Sequence, residues 1–331
     1  MKEQLLRIVL AQGNRFIKDL LRRKDIRIGA TKEAFRNNLT EAIDDGRLTA
    51  EDIDDWLAAV EGWGNQQCYV YRVPAVFKTS QWDDETFVTK RLTAAGLAKL
   101  WRAATSLDFP EKMTLTAIEH TAERFSFVWH EGGEYLQRRP EQDREASVGD
   151  DEFIYKAYSR EWRRSVFRFE WRRDLGLAAI LLARVTDQTM YETLRDEIIL
   201  TIKSVLDIRK WDPVNMSTAL TRLDELVTKG KPPKGLQKIQ ATSTMFSGAS
   251  SWVQLGSNSN TRSYQDDSDV RPVRHAVDTK KLIGGDGDYR LNPESGAAVH
   301  AELYGRANRV LFRGAMISDD VWQSLLSISQ V

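Results

Sequence analysis

VFRFEWRRDLGLAAILLARV, residues 166–185, is the stretch whose reading decides the fold class. Its opening alternates with period two: Phe167, Phe169 and Trp171 fall on one face of an extended chain, and Arg168, Glu170 and Arg172 on the other. Asp174–Leu175–Gly176 has turn chemistry, and LAAILLARV (177–185) follows as a second apolar run. Together they predict a β-hairpin feeding a helix from Met190 to about Ile208.

Working outward, strands are predicted at QCYVYRVPAVF (67–77, cut by Pro74), Met113–Ile118, Arg124–His130 and Glu152–Tyr158. Glu131–Gly132–Gly133–Glu134 reads as a turn, and 138–152 (RRPEQDREASVGDDE) as a polar loop. Helices are predicted at 92–107 and at Ser217–Val227. TKGKPPKG (228–235) has no apolar residue except proline and reads as a linker. Beyond it, strands are expected at Val270–Val277, Tyr289–Leu291, Val299–Tyr304 and Arg309–Met316, then a helix capped by Ser318.

Residues 1–62 have helical period instead. Phe16, Ile17, Leu20 and Leu21 share one helix face, Thr31 is an N-cap before Phe35, Leu39 and Ile43, and Thr49 caps a further helix. The expected class is therefore α+β: an N-terminal helical module (1–64), a central, mostly antiparallel sheet with helices (65–228), a linker (229–246) and a smaller β-rich domain ending in a helix (247–331).

Bulk composition narrows the function classes. Hydrophobic residues make up 41% and charged residues 29% of the 331, ordinary for a folded chain. Lys+Arg and Asp+Glu are both 48, so the whole molecule has no net field to steer it toward polyanions. A single cysteine, Cys68, excludes an intrachain disulfide or a cysteine-based zinc site. The longest apolar run, Leu175–Ala183, is too short to span a membrane, and MKEQLLRIVLAQGNRF lacks a signal-peptide core. A cytoplasmic protein without membrane contact is expected.

Charge is segregated locally. Residues 1–43 hold ten bases against five acids, a local charge of +5. Within this segment, FIKDLLRRKDIRIGATKEAFRNNLTEAI (16–43) resembles the SAP-type helix–extended loop–helix unit. The likeness rests on the amphipathic Ile17–Leu21 helix, a loop with Ile26, Ile28 and Gly29, and Thr31–Lys32–Glu33 opening a second helix with Phe35 and Leu39 inward. Asp25 departs from the basic or neutral residue usual in that loop. The resemblance implies DNA binding, in some members protein binding. Clustered cations supply sequence-independent attraction to phosphates, which makes Arg22, Arg23, Lys24, Arg27, Lys32 and Arg36 candidate contacts, and the second helix N-terminus offers N–H groups. A helical N-terminal domain ahead of a mixed sheet domain, in a chain of this length, is also similar to the inner-kinetochore N-type centromere proteins.

REWRRSVFRFEWRR (160–173) is the second candidate. As a strand it would pack Phe167, Phe169 and Trp171 and present Arg164, Arg168 and Arg172 on the opposite face, roughly 13 Å between successive guanidiniums, commensurate with a phosphate backbone. The competing reading is a face paired with acids on neighbouring strands.

No catalytic residue, metal ligand set or cofactor motif is assigned. A nuclease core of the PD-(D/E)xK kind would need carboxylates and a lysine around Glu170 and Asp174, and LAAILLARV supplies no carboxylate. His120, His130, His275 and His300 are scattered, Gly284–Asp288 reads as a turn, and P-loop, GxGxxG, GxSxG and HExxH patterns are missing. Three readings remain open: a non-catalytic protein contacting the DNA backbone, a structural or adaptor subunit docking a protein partner or a second copy, and an enzyme without a recognisable signature.

Overall fold

The computed structural model describes residues 2–63, 66–103, 110–149, 151–183, 190–233, 236–246, 252–256, 266, 268–270, 272–273, 282–291, 299–313 and 322. Four helices open the chain: α1 (Lys2–Ala11), α2 (Asn14–Arg23), α3 (Lys32–Asp44) and α4 (Ala50–Trp63). There follow β1 (Gln66–Arg72), α5 (Glu85–Ala94), β2 (Thr114–His120), β3 (Arg124–Arg138), β4 (Arg144–Val148), β5 (Asp151–Tyr155), β6 (Tyr158–Arg172), β7 (Leu177–Ala183) and α6 (Met190–Ile202). The last described elements are β8 (Asp212–Pro213), α7 (Met216–Thr228), β9 (Leu236–Phe246), β10 (Trp252–Gly256), β11 (Leu282–Leu291), β12 (Val299–Tyr304) and β13 (Arg309–Arg313). The fold is α+β, with N-terminal helices and a large, mostly antiparallel sheet.

The chain divides into two compact units: Met1–Asp54, Thr105–Thr116 and Trp129–Val166 in one, and Asp55–Ala104, Ala117–Val128 and Phe167–Val331 in the other. They do not follow a linear division at residues 64 and 229, because β3 and β6 are each 15 residues long and belong partly to both.

In the first unit, Leu6, Ile8 and Val9 of α1, Ile17, Leu20 and Leu21 of α2, and Phe35, Leu39 and Ala42 of α3 are all buried. Each helix places these residues on one stripe because apolar positions recur at three- and four-residue intervals. The same unit holds a separate two-stranded sheet, β4 with β5. The polar loop expected over 138–152 is therefore corrected: most of it is strand. Its residues carry little apolar alternation because both faces of this hairpin are exposed.

The principal sheet runs in the order β10-β9-β11-β12-β13-β1-β7-β6-β3-β2, with β8 also against β1. The predicted hairpin is β6–β7: Phe167 faces Leu182, Phe169 faces Ile180 and Trp171 faces Ala178. On that face Trp171 meets Phe77, Trp82 and Trp211 at ring separations of 5.6, 5.6 and 5.5 Å. The opposite face of β7, with Leu177, Ala179 and Leu181, belongs to one buried cluster that also takes in Ala219, Leu220 and Leu223 of α7. Both faces of the central strands are thus covered, and each fully buried large side chain contributes about 1.5–3 kcal/mol.

Four further expectations are corrected. Glu131–Glu134 does not turn; β3 continues through it. The helix expected at 92–107 ends earlier: α5 closes at Ala94, where Gly96 at φ +73 lets the Gly96 and Leu97 N–H groups return to Thr93 and Leu92 carbonyls. The linker read over 229–246 stops short, because 236–246 is β9, and the C-terminal strands extend the principal sheet through β13 against β1. Gly284–Asp288 is not a turn but the body of β11. A Cβ at Gly287 would collide with the Tyr289 ring and with Leu220, so glycine there admits α7 to the sheet. Of the helix expected from Ser318 only Trp322 is described, and it is buried; His275 and most of Val270–Val277 lie outside the described residues. Among the described residues, no helix is long and apolar enough to cross a membrane.

Candidate nucleic-acid interface

The N-terminal cations are positioned by a helix, an extended segment and a second helix. α2 ends in a left-handed closure: Asp25 sits at φ +50, its N–H returns to the Arg22 carbonyl at 3.2 Å, and the Ile26 N–H to the Leu21 carbonyl at 2.8 Å. Buried Ile26 and Leu21 complete this helix stop. Asp25, the one departure noted in the loop, thus occupies a conformation that only glycine, asparagine and aspartate enter readily. The loop then crosses α3 closely. A Cβ on Gly29 would collide with Ala34, and Asn38 Nδ2 donates to the Arg27 carbonyl at 2.7 Å. Thr31 Oγ1 accepts from the Ala34 N–H at 3.1 Å, the predicted cap of α3.

The sequence-predicted cations separate into two groups. Arg23 pairs with Asp19 at 2.8 Å, Arg36 with Glu3 at 3.2 Å, Lys24 with Asp52, and the Lys32 ammonium donates to the Leu10 carbonyl. The bond from Lys24, together with the Thr49 cap, lowers Asp52 to about 2. The Arg23 pair lies within α2; the contacts of Arg36, Lys24 and Lys32 hold the helices to one another. Arg22 and Arg27 are exposed and, among the described residues, have no ion-pair partner. Arg15 and the half-exposed Lys18 share that condition. Arg15, Lys18 and Arg22 stand at i, i+3 and i+7 of α2, one stripe of the helix, with Arg27 following in the loop. Sequence reading counted Arg15 and Lys18 toward the local charge without choosing them; their spacing against Phe16, Ile17, Leu20 and Leu21 was the available signal.

Arg164, Arg168 and Arg172 are a correction. An exposed guanidinium face was expected on β6, but the three residues are 8%, 7% and 6% exposed. The physical reason is non-local: β6 lies between β7 and β3 in the sheet, and from Arg164 to Arg172 both of its faces are covered. Arg172 makes a two-pronged pair with Asp174 at 2.9 and 2.6 Å. Arg168 faces Glu170 at 3.5 Å, a charge contact too long for a strong hydrogen bond. Burial raises the Glu170 carboxyl above its ordinary range, against the lowering pull of Arg168, Arg124 and Arg172. Burial likewise pushes the Cys68 thiol well up, which suits a core residue and not a nucleophile.

The remaining chemistry is structural. His120 Nε2 meets the Trp82 carbonyl at 2.8 Å and its ring stacks on Trp101; burial holds its pKa below the ordinary imidazole value. His130 Nδ1 meets Thr116 Oγ1 at 2.6 Å. Sequence reading missed one cluster, Asp288, His300 and Glu302, whose ligand-type atoms lie within 4.8 Å of one another. The alternation of His300 and Glu302 on β12 was its only signal. Arg313 binds Glu302 at 2.8 and 3.0 Å, the Tyr304 hydroxyl donates to it at 2.6 Å, and Arg290 stands 3.8 Å from Asp288. Two guanidiniums already neutralise the two carboxylates, which makes this a cross-strand charge network instead of a vacant cation cage.

No protein-family model and no curated protein matches the chain.

Proposed function

We propose that this chain is a non-catalytic nucleic-acid-binding protein that contacts the DNA backbone through its N-terminal helical module. One observation carries the reading: among the described residues Arg15, Lys18, Arg22 and Arg27 stand without acidic partners along α2 and the following loop, while the neighbouring cations are occupied. The contrast supports a surface with a surplus of cation available to phosphate oxygens. The SAP-type resemblance of residues 16–43 points the same way.

Such a surface would grip phosphates without reading bases, so affinity would be modest and steeply salt-dependent. Contact with about three to four phosphates corresponds to a log–log slope near −3 and roughly a hundredfold loss of affinity between about 50 and 200 mM salt. Fluorescence anisotropy with a short duplex measures this directly. The absence of a complex at micromolar protein and about 50 mM salt ends the proposal. The adaptor reading retains one observation of its own, the exposed apolar residues of β5.

A further inference from the structure

We propose that β5 is a pairing edge for a second copy of this chain, joined antiparallel about a twofold axis at Ile154. This stands apart from the DNA reading and does not depend on it.

β4 and β5 form a sheet of two strands only, in register from Arg144↔Tyr155 to Val148↔Asp151. Every residue of β5 is exposed, including Phe153 at 43%, Ile154 at 68% and Tyr155 at 57%. A lone two-stranded sheet is marginal in water, and its outer edge presents unpaired N–H and C=O groups. Among the described residues no other strand pairs with β5. Three large apolar side chains on a free edge are what an added strand would cover.

The identity of that strand follows from the sequence of the edge itself, DEFIYK (151–156): acidic at its start and basic at its end. A twofold axis perpendicular to the sheet places residues of the same face opposite one another. Centred on Ile154, it sets Glu152 opposite Lys156 of the second copy and Phe153 opposite Tyr155 of the second copy, each pair occurring twice. Phe153 and Tyr155 already share a face, their rings 6.5 Å apart, so four rings would gather on one side and the two Ile154 side chains with two charge pairs on the other. Aromatic and opposite-charge pairs are the favoured cross-strand combinations. Centring on Phe153 would instead set Glu152 against Ile154 and Asp151 against Tyr155, which loses both. The edge is self-complementary in one register.

A single strand pair is a small interface, so the dimer should be weak, with a Kd on the order of 10–100 µM. Sedimentation of the full chain from about 1 to 300 µM tests this range, with expected passage from monomer to dimer. Ile154→Lys places two ammonium groups at the axis and should weaken association roughly tenfold or more. Glu152→Lys should weaken it too, while Glu152→Lys combined with Lys156→Glu should restore dimerisation to near the wild-type level. All three positions are exposed, so circular dichroism should show an unchanged fold. A chain that stays monomeric throughout overturns the proposal. So does a dimer indifferent to Ile154→Lys, or a double variant no better than Glu152→Lys alone.

Discussion

Two regions of this molecule are rich in arginine, and they do opposite things. β6 carries Arg164, Arg168 and Arg172 at every fourth position, on one face of the strand, yet all three are buried. α2 carries Arg15, Lys18 and Arg22 on one stripe, and they remain outside its core. Arginine density alone does not make a cationic surface. A helix packed along one side keeps its opposite face in water, so its polar stripe is legible from spacing. A strand has two faces and two edges, and whether its polar face is solvated depends on neighbours far away in sequence. For β6 those neighbours are β7, β3 and whatever covers each face.

The contrast can be broken first at Glu170. Glu170→Ala removes the carboxylate facing a buried guanidinium and should cost about 3–5 kcal/mol in denaturant unfolding. Arg22→Ala, by comparison, should stay within about 0.5 kcal/mol of wild type, as for an exposed residue without a partner. Equal effects would dissolve the distinction between the two regions. Next in size is Gly29→Ala. Its methyl group meets Ala34 with no room to yield, and the loop must lift from α3 at about 1–3 kcal/mol. Asp25→Gly should act in the other direction, stabilising by roughly 0.5–1 kcal/mol because glycine enters the left-handed region without strain. It also deletes a negative charge from the basic loop, so salt-dependent DNA affinity should rise, not fall.

The smallest effect is electrostatic. Asp52 is held at about 2, below its ordinary 3.8, chiefly by Lys24 and the Thr49 cap. A carboxyl lowered on folding contributes stability above its unfolded value, and that contribution fades as pH falls through about 2. Melting temperature followed from pH 5 to about 2 should therefore fall, and Asp52→Asn should be less stable at neutral pH with a shallower acid decline. Asp143 and Asp207, each lowered to about 2 by Arg138 and Arg209, leave part of the decline in that variant.

The elements with strong local signals were legible. Thr31 as cap, the stripe Phe35–Leu39, the hairpin of β6 and β7, and β12 at Val299–Tyr304 follow from spacing alone. β4 and β9 were not, because REASV and LQKIQATSTMF carry polar residues on most positions and gain their strand character from partners, β5 for one and β10 and β11 for the other. The glycine run in β11 read as a turn for a similar reason: what requires Gly287 is the approach of Leu220 from α7, some 67 positions earlier in the chain. Within the candidate interface the total charge of the module was visible, but which cations were already spoken for depended on Asp52 and Glu3 arriving from other helices.

On the proposed function, the stripe of Arg15, Lys18 and Arg22 on α2, not the arginines of β6, meets phosphate. The direct measurement is the salt dependence of duplex binding for the wild type and for Arg15→Ala/Lys18→Ala/Arg22→Ala, with folding of both verified by their melts. The variant should keep its stability and lose roughly two to three units of the log–log slope, with binding weakened at least tenfold at about 50 mM salt. An unchanged slope and affinity in a folded variant would contradict the account.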